Sequence, residues 1–286
     1  MRSMDTSMNS ISRTATSTNL LAFRRDGSRR RMTEIIPVLR RCGYTSLDLN
    51  FCEMMNPDCS IDASYIAVLE DYRRTLGVEY VQSHVPYPVP DYHSLSAQQK
   101  DRSDADIARA IEYSVRLGVR AIVIHPVRGG IGENVEYLEK FLPLLAGTGS
   151  SLALENMERP DEVNSARELL CIVGNCSDSR IGICLDTGHA HLMGHDIPQM
   201  IHSLGDRLIA THIADNRGRE DEHLLPFFGT IDWENVMKAF TQTGYSGALA
   251  YECMFFTRRL PDPLQLEAVR LSLETAKVLE AMGSAP

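Results

Sequence analysis

Short apolar, β-branched runs alternate along this chain with longer stretches whose apolar positions recur every three or four residues. The runs over 15–23, 46–51, 78–85, 121–125, 152–156, 181–186, 208–213 and 247–252 are predicted as strands. Helices are predicted near 33–41, 61–76, 96–117, 134–145, 162–174 and 197–204, from Asp232, a plausible N-cap, and over 263–282. Gly174 reads as a helix stop. Several strand runs, such as Ala121-Ile122-Val123-Ile124 and Leu152-Ala153-Leu154, are apolar at consecutive positions. That is the pattern of a parallel strand covered on both faces.

Eight such units imply a closed barrel or an open doubly wound sheet. Neither a G-x-G-x-x-G nor a G-x-x-x-x-G-K-[ST] fingerprint follows the first strand, which weakens the nucleotide-binding open sheet. The 286 residues lie close to the ~250 typical of one (β/α)8 barrel, and no composition break marks a second domain. The expected architecture is therefore α/β, a single (β/α)8 TIM barrel spanning 1–286, with 1–12 a flexible tail.

Charge and cysteines narrow the setting. A formal net charge of −9 disfavours nucleic acid as a partner. The one basic cluster, Arg24, Arg25, Arg29, Arg30 and Arg31, reads more readily as a solvated loop and helix start than as a phosphate site. Seven scattered cysteines without a C-x-x-C pair suit reduced thiols, with Cys184 and Cys253 as small core residues. No apolar run approaches the ~20 residues of a membrane span. The polar segment 1–18 has no apolar centre like that of a secretory signal, and the expected location is the cytoplasm.

The chemistry is concentrated where the strands end. Successive runs terminate in His84, His125, Glu155, Asp186, His212 and Glu252. In a barrel these ends converge on one mouth. A lone histidine at a strand end is more often a structural hydrogen-bonding residue than a ligand, but six such residues together point elsewhere. Carboxylates crowded into a low-dielectric mouth repel unless protonated or bridged by a cation. Mixed imidazole and carboxylate ligands suit one divalent ion: manganese, zinc, cobalt or iron, with magnesium also kept open. His189 follows Asp186 by three residues and can face the same cleft, whereas His191 is as readily a loop residue. The long segment 214–231 carries Asp221 and His223 at a spacing that lets both reach one ion or polyol, though a solvated charged loop would read the same way.

At Leu154-Glu155-Asn156, Cys184-Leu185-Asp186-Thr187-Gly188-His189, His212-Ile213-Ala214-Asp215-Asn216 and Asp221-Glu222-His223-Leu224-Leu225-Pro226, the chain resembles the xylose-isomerase-like barrel superfamily. That superfamily includes sugar and sugar-phosphate isomerases and epimerases and the endonuclease IV group (AP endonuclease family 2). The likeness runs over about 45–280 and includes Gly229-Thr230-Ile231-Asp232-Trp233 and Tyr251-Glu252. Similarity to ketose 3-epimerases implies that Glu155, Asp186, His212 and Glu252 ligate one metal. Glu155 and Glu252 would also exchange a proton with the sugar carbon through a metal-stabilised enediolate. The same likeness implies that His189, and by weaker correspondence Glu158 and Arg217, hold substrate oxygens; the spacing to the last two departs from the epimerase pattern. His84, His125, Asp221 and His223 complete the expected substrate-contacting set.

Three rivals remain. One is a lyase or dehydratase acting on a keto-sugar, keto-inositol or keto-glycoside. Another is an endonuclease IV-like trinuclear zinc phosphodiesterase, whose nine ligands would fall on His84, His125, Glu155, Asp186, His189, His212, Asp221, His223 and Glu252. The third is a sugar-binding module without catalysis. The expected partner is a small carbohydrate, with no membrane. Barrels of this type often associate, so a homo-oligomer is a candidate state, but no interface is legible in the sequence.

Overall fold

Parallel strands close into one barrel in chain order: β1 (Thr14–Ser17), β2 (Ser46–Asn50), β3 (Glu79–His84), β4 (Ala121–Ile124), β5 (Ser151–Glu155), β6 (Ile181–Asp186), β7 (Leu208–Ile213) and β8 (Leu249–Tyr251). β8 pairs back onto β1, so this is an eight-stranded TIM barrel. The computed structural model describes residues 13–87 and 91–283. The expected tail over 1–12 lies outside the described residues.

Helices α1 (Met32–Arg41), α2 (Ala63–Leu76), α3 (Ala97–Arg116), α4 (Ile131–Glu139) and α5 (Ala166–Asn175) follow the first five strands. After β6 come α6 (Thr187–Leu192) and α7 (Ile197–Leu204), after β7 α8 (Trp233–Gln242), and after β8 α9 (Met254–Arg258) and α10 (Asp262–Gly283). Their starts follow capping chemistry. Asp62 accepts from the Ser64 and Tyr65 amides, Ser96 and Ser165 form capping boxes with Gln99 and Glu168, and Asp232 accepts from the Asn235 amide.

Several expected bounds are corrected. The first strand stops at Ser17, whose hydroxyl accepts from the Asn19 amide and turns the chain into a 3-10 segment, Thr18–Leu21. The helix expected over 134–145 is interrupted: α4 ends at Glu139, and Leu142–Leu145 with Pro143 forms a separate 3-10 turn. α5 starts at Ala166 rather than near 162, because Ser165 caps it, and it runs past Gly174. α6 and α9 are short helices that the periodicity does not announce.

The main core lies between the strands and the outer helices and includes Leu47, Ile122, Leu152, Ile183, Trp233 and Phe240. Inside the barrel a second, small-residue cluster is built from Ala121, Val123, Ala153, Cys184 and Ala210. These small side chains sit beneath the strand ends that carry the ionisable groups. Gly182 belongs to the same economy of space, since a Cβ there would stand 2.7 Å from the Ile209 side chain. Among the described residues no helix is long and apolar enough to cross a membrane.

Candidate functional site

The C-terminal ends of the strands open into a cavity of about 760 Å³, and His84, His125, Glu155, Glu158, His189, Asp221, His223 and Glu252 line it. Such a volume lies within the range of small-molecule sites. Strand pairing sets the floor: Asp186 at the end of β6 is level with His212 on β7, and the Glu252 amide donates to the Ile213 carbonyl at 3.1 Å. Glu155, Asp186, His212 and Glu252, all buried, offer ligand atoms lying within 4.8 Å of one another. His212 Nδ1 is at their centre, 2.6 Å from Glu155 Oε1, 3.4 Å from Glu252 Oε2 and 4.0 Å from Asp186 Oδ2.

Neighbouring polar groups fix these side chains. Asp186 Oδ1 accepts from the His189 amide at 2.7 Å and so starts α6, while Oδ2 is buried without a hydrogen-bond partner. Asn156 clamps the Asp186 backbone, accepting from its amide at 2.8 Å and donating to its carbonyl at 2.9 Å. The Asn156 carbonyl also accepts from His189 Nδ1 at 2.8 Å, which turns Nε2 toward Asp221 Oδ2, 3.7 Å away, and Glu158 Oε2, 3.9 Å away. His84 donates from Nδ1 to the Val85 carbonyl at 2.7 Å, leaving Nε2 3.2 Å from Glu155 Oε2. His125 Nε2 approaches that same oxygen at 3.1 Å.

The long segment between β7 and α8 is shaped by one buried carboxylate. Asp215 accepts from the amides of Asn216, Phe227 and Ile231 and from Trp233 Nε1 at 2.9 Å. Gly229 packs so tightly beneath it that a Cβ would overlap Asp215 Oδ1 and the Asn216 carbonyl. The loop thereby brings Asp221 Oδ2 to 2.7 Å from His223 Nε2, while His223 Nδ1 donates to the Glu252 carbonyl at 2.9 Å. His189, Asp221 and His223 form a second group of converging ligand atoms, and His84, Glu155 and His212 a third.

The electrostatics follow from burial and proximity. Burial works against the charge of His212, but Glu155 and Glu252 outweigh it and hold the imidazole well above its ordinary pKa. Burial would likewise raise Glu155, yet the His212 charge and hydrogen bonds from His125, His212 and His84 bring it well below the usual carboxylate range. Asp186 goes the other way: burial pushes it up to about 6 despite His189 and His223 nearby. Burial also opposes the charge of His223, but Asp221 raises it to about 9.

This donor set fits a divalent cation. Buried carboxylates and imidazoles converge on a small volume, and Asp186 Oδ2 lies within it unpartnered. Glu155, Asp186, His212 and Glu252 could hold the ion.

One expected contact stands apart from the rest. Arg217 does not line the cavity; its guanidinium pairs with Glu222 and is largely exposed. Three residues not singled out in the sequence stand against the centre. Asp48 on β2 is fully buried, has no hydrogen-bond partner for either carboxylate oxygen, and lies 3.7 Å from His212 Nε2, which is itself unpartnered. Asn19 donates to Glu252 Oε1 at 3.1 Å. Cys52 Sγ stands 3.6 Å from His84 Nδ1. Asp48 carried a signal: in Ser46-Leu47-Asp48-Leu49-Asn50 the polar positions alternate, and in a closed barrel that face is the interior.

Residues 36–275 match the family model described as xylose isomerase-like TIM barrel. An uncharacterized protein of Sinorhizobium fredii is 37% identical over 101 residues, a match spanning 35% of this chain and 32% of that protein. A putative hydroxypyruvate isomerase of Streptomyces coelicolor is 23% identical over 76% of this chain and 85% of its own. A probable endonuclease 4 of Bacillus velezensis is also 23% identical, over 67% and 70%. Among solved structures, D-psicose 3-epimerase with D-tagatose from Clostridium cellulolyticum H10 superposes with a TM-score of 0.75 at 15% identity, covering 93% of this chain and 98% of that one. The IOLI protein with a binding zinc atom gives 0.75 at 18% identity, covering 93% and 96%.

Proposed function

The chain belongs to the xylose isomerase-like TIM barrel family, and on that premise we propose that it is a divalent-metal-dependent sugar isomerase or epimerase acting on a small ketose or keto-sugar. The observation that carries the reading is the convergence of Glu155, Asp186, His212 and Glu252 on the floor of an open cavity. A divalent ion held by these four residues would supply Lewis-acid polarisation of a carbonyl and its neighbouring hydroxyl, which eases loss of the adjacent C–H proton. Glu155 and Glu252 rise from different walls, at the ends of β5 and β8, and both line the cavity. Either carboxylate, ionised, can take the carbon-bound proton as base; the other returns a proton to the opposite face only in its protonated form, so the pair exchanges one proton with solvent between turnovers. His84 and His125 fix Glu155 Oε2, and Asn19 fixes Glu252. His189, Asp221, His223 and Glu158 line the cavity as hydroxyl partners. The seven free cysteines suit a reducing compartment such as the cytoplasm.

Deuterium exchange from solvent into a panel of ketoses and keto-sugars tests this reading. Glu155→Gln and Glu252→Gln should each lower exchange by about 10²–10⁴-fold with an unchanged circular dichroism spectrum. Full activity in either variant overturns the assignment. Elimination to an unsaturated ketone, seen by its absorbance, would replace isomerisation by the lyase reading. The second and third ligand groups, together with the likeness to a probable endonuclease 4, favour as a second reading a trinuclear phosphodiesterase. Three zinc ions per chain with abasic-site cleavage support it; one ion per chain supports sugar chemistry.

A further inference from the structure

Four arginines line the cavity, and they divide into two kinds. Arg128 is neutralised by Asp91, Asp161 and Glu162, and Arg159 lies against Glu158. Arg29 and Arg258 have no carboxylate within ion-pair distance among the described residues. They instead flank one aromatic ring, the Arg29 guanidinium carbon 4.9 Å and that of Arg258 5.0 Å from the Phe23 centroid.

The arrangement is built from two separate parts of the chain. Phe23 and Arg29 are bridged across a hairpin closed by Gly27 at φ 87°, with the Arg24 amide donating to the Ser28 carbonyl at 2.8 Å. Arg258 arrives from the far end of the sequence on α9, which Thr257 ties to the Leu20 carbonyl. Within the basic cluster Arg24, Arg30 and Arg31 are paired with Glu34, Asp262 and Glu53, so it is Arg29 that brings unneutralised charge to the cavity. A stacked guanidinium keeps its in-plane N–H donors open, and two of them at one mouth match a carboxylate or phosphate.

The position relative to the centre is also set. The Phe255 ring stands edge-on to His223 at 5.6 Å, and Arg258 lies over Phe255 at 5.5 Å. The wall therefore climbs from the ligand groups to the guanidiniums in two contacts, a reach that suits the distal end of a sugar chain whose carbonyl end lies at Glu155 and Glu252.

The geometry points to an anion-binding subsite formed by Phe23, Arg29 and Arg258, so that the substrate is a keto-sugar bearing a terminal carboxylate or phosphate. This rests on the proposed sugar chemistry for its orientation, but the subsite can be tested without turnover. Metal-loaded protein is titrated calorimetrically with glucitol, gluconate and glucitol 6-phosphate, polyols that lack the reactive carbonyl. The expected result is at least tenfold tighter binding of one charged polyol than of glucitol. That ratio should collapse in Arg29→Met/Arg258→Met and persist in the charge control Arg25→Met. Gluconate preference identifies a sugar acid, and glucitol 6-phosphate preference a sugar phosphate. Equal affinities for all three, or a preference that survives the double substitution, overturns the subsite. So does tight binding of an abasic-site duplex with no preference among the polyols. If the charged preference is present but no ketose, acid or phosphate exchanges deuterium, the subsite stands and the isomerase reading falls.

Discussion

Loading the buried centre with a cation should expel protons, in a number that the structure sets. A ligating imidazole must be neutral at the ligand nitrogen, and ligating carboxylates must be ionised. Without an ion, His212 is held well above its ordinary pKa, Glu155 and Glu252 below theirs, and Asp186 at about 6. At pH 7 His212 therefore gives up about one proton and Asp186 about 0.1; at pH 6, where Asp186 is half protonated, the total rises to about 1.5. The sign follows: protons compete with the ion, so affinity increases with pH, by roughly tenfold per unit near neutrality. Titration calorimetry with Mn²⁺ in buffers of different ionisation enthalpy reads the number directly, as the slope of observed enthalpy against buffer enthalpy. A slope near zero at pH 7, or an affinity flat between pH 6 and 8, would refute the assignment of His212 as a ligand.

Two further outcomes are expected. Asp48→Asn should weaken metal binding about 10–100-fold, because the carboxylate facing His212 Nε2 orients and polarises that ring, while Tm moves little; unchanged affinity removes Asp48 from the site. Asp221→Asn should drop the pKa of His223 from about 9 toward its ordinary 6.5, followed by imidazole NMR in metal-free protein. The stability this pair contributes is fully present between about pH 4 and 6.5, is lost as pH rises through about 9, and is lost again in acid as Asp221 protonates, so a variant titrating like the parent contradicts the coupling.

The barrel was legible because both faces of its strands are covered, which leaves consecutive apolar runs such as Ile181 to Leu185 ending in one ionisable residue. Side-chain capping was less legible. Ser17 ends β1 early, and Asp186 starts α6 with the same carboxylate that faces the centre, a double use that hydrophobic spacing does not encode. The strand-end candidates could be named from the sequence because position alone places them at the mouth. The direction of Arg217 was not legible because a loop's composition carries none; here it pairs with its neighbour Glu222. Asp48 was passed over because a polar residue in a strand reads as solvent-facing until the sheet is known to close.

Closure itself has a consequence for how the protein is made. β1 can pair with β8 only after residue 249 has been synthesised, through the register Thr14 with Leu249 and Thr16 with Tyr251. Until then the nascent chain carries an open sheet with two unpaired margins, which invites association with other chains. Glu252 follows directly on the closing strand, and Asn19, from the segment just after β1, is its partner. The ring and the acidic floor are thus completed in the same step, and a chain stalled short of it has neither.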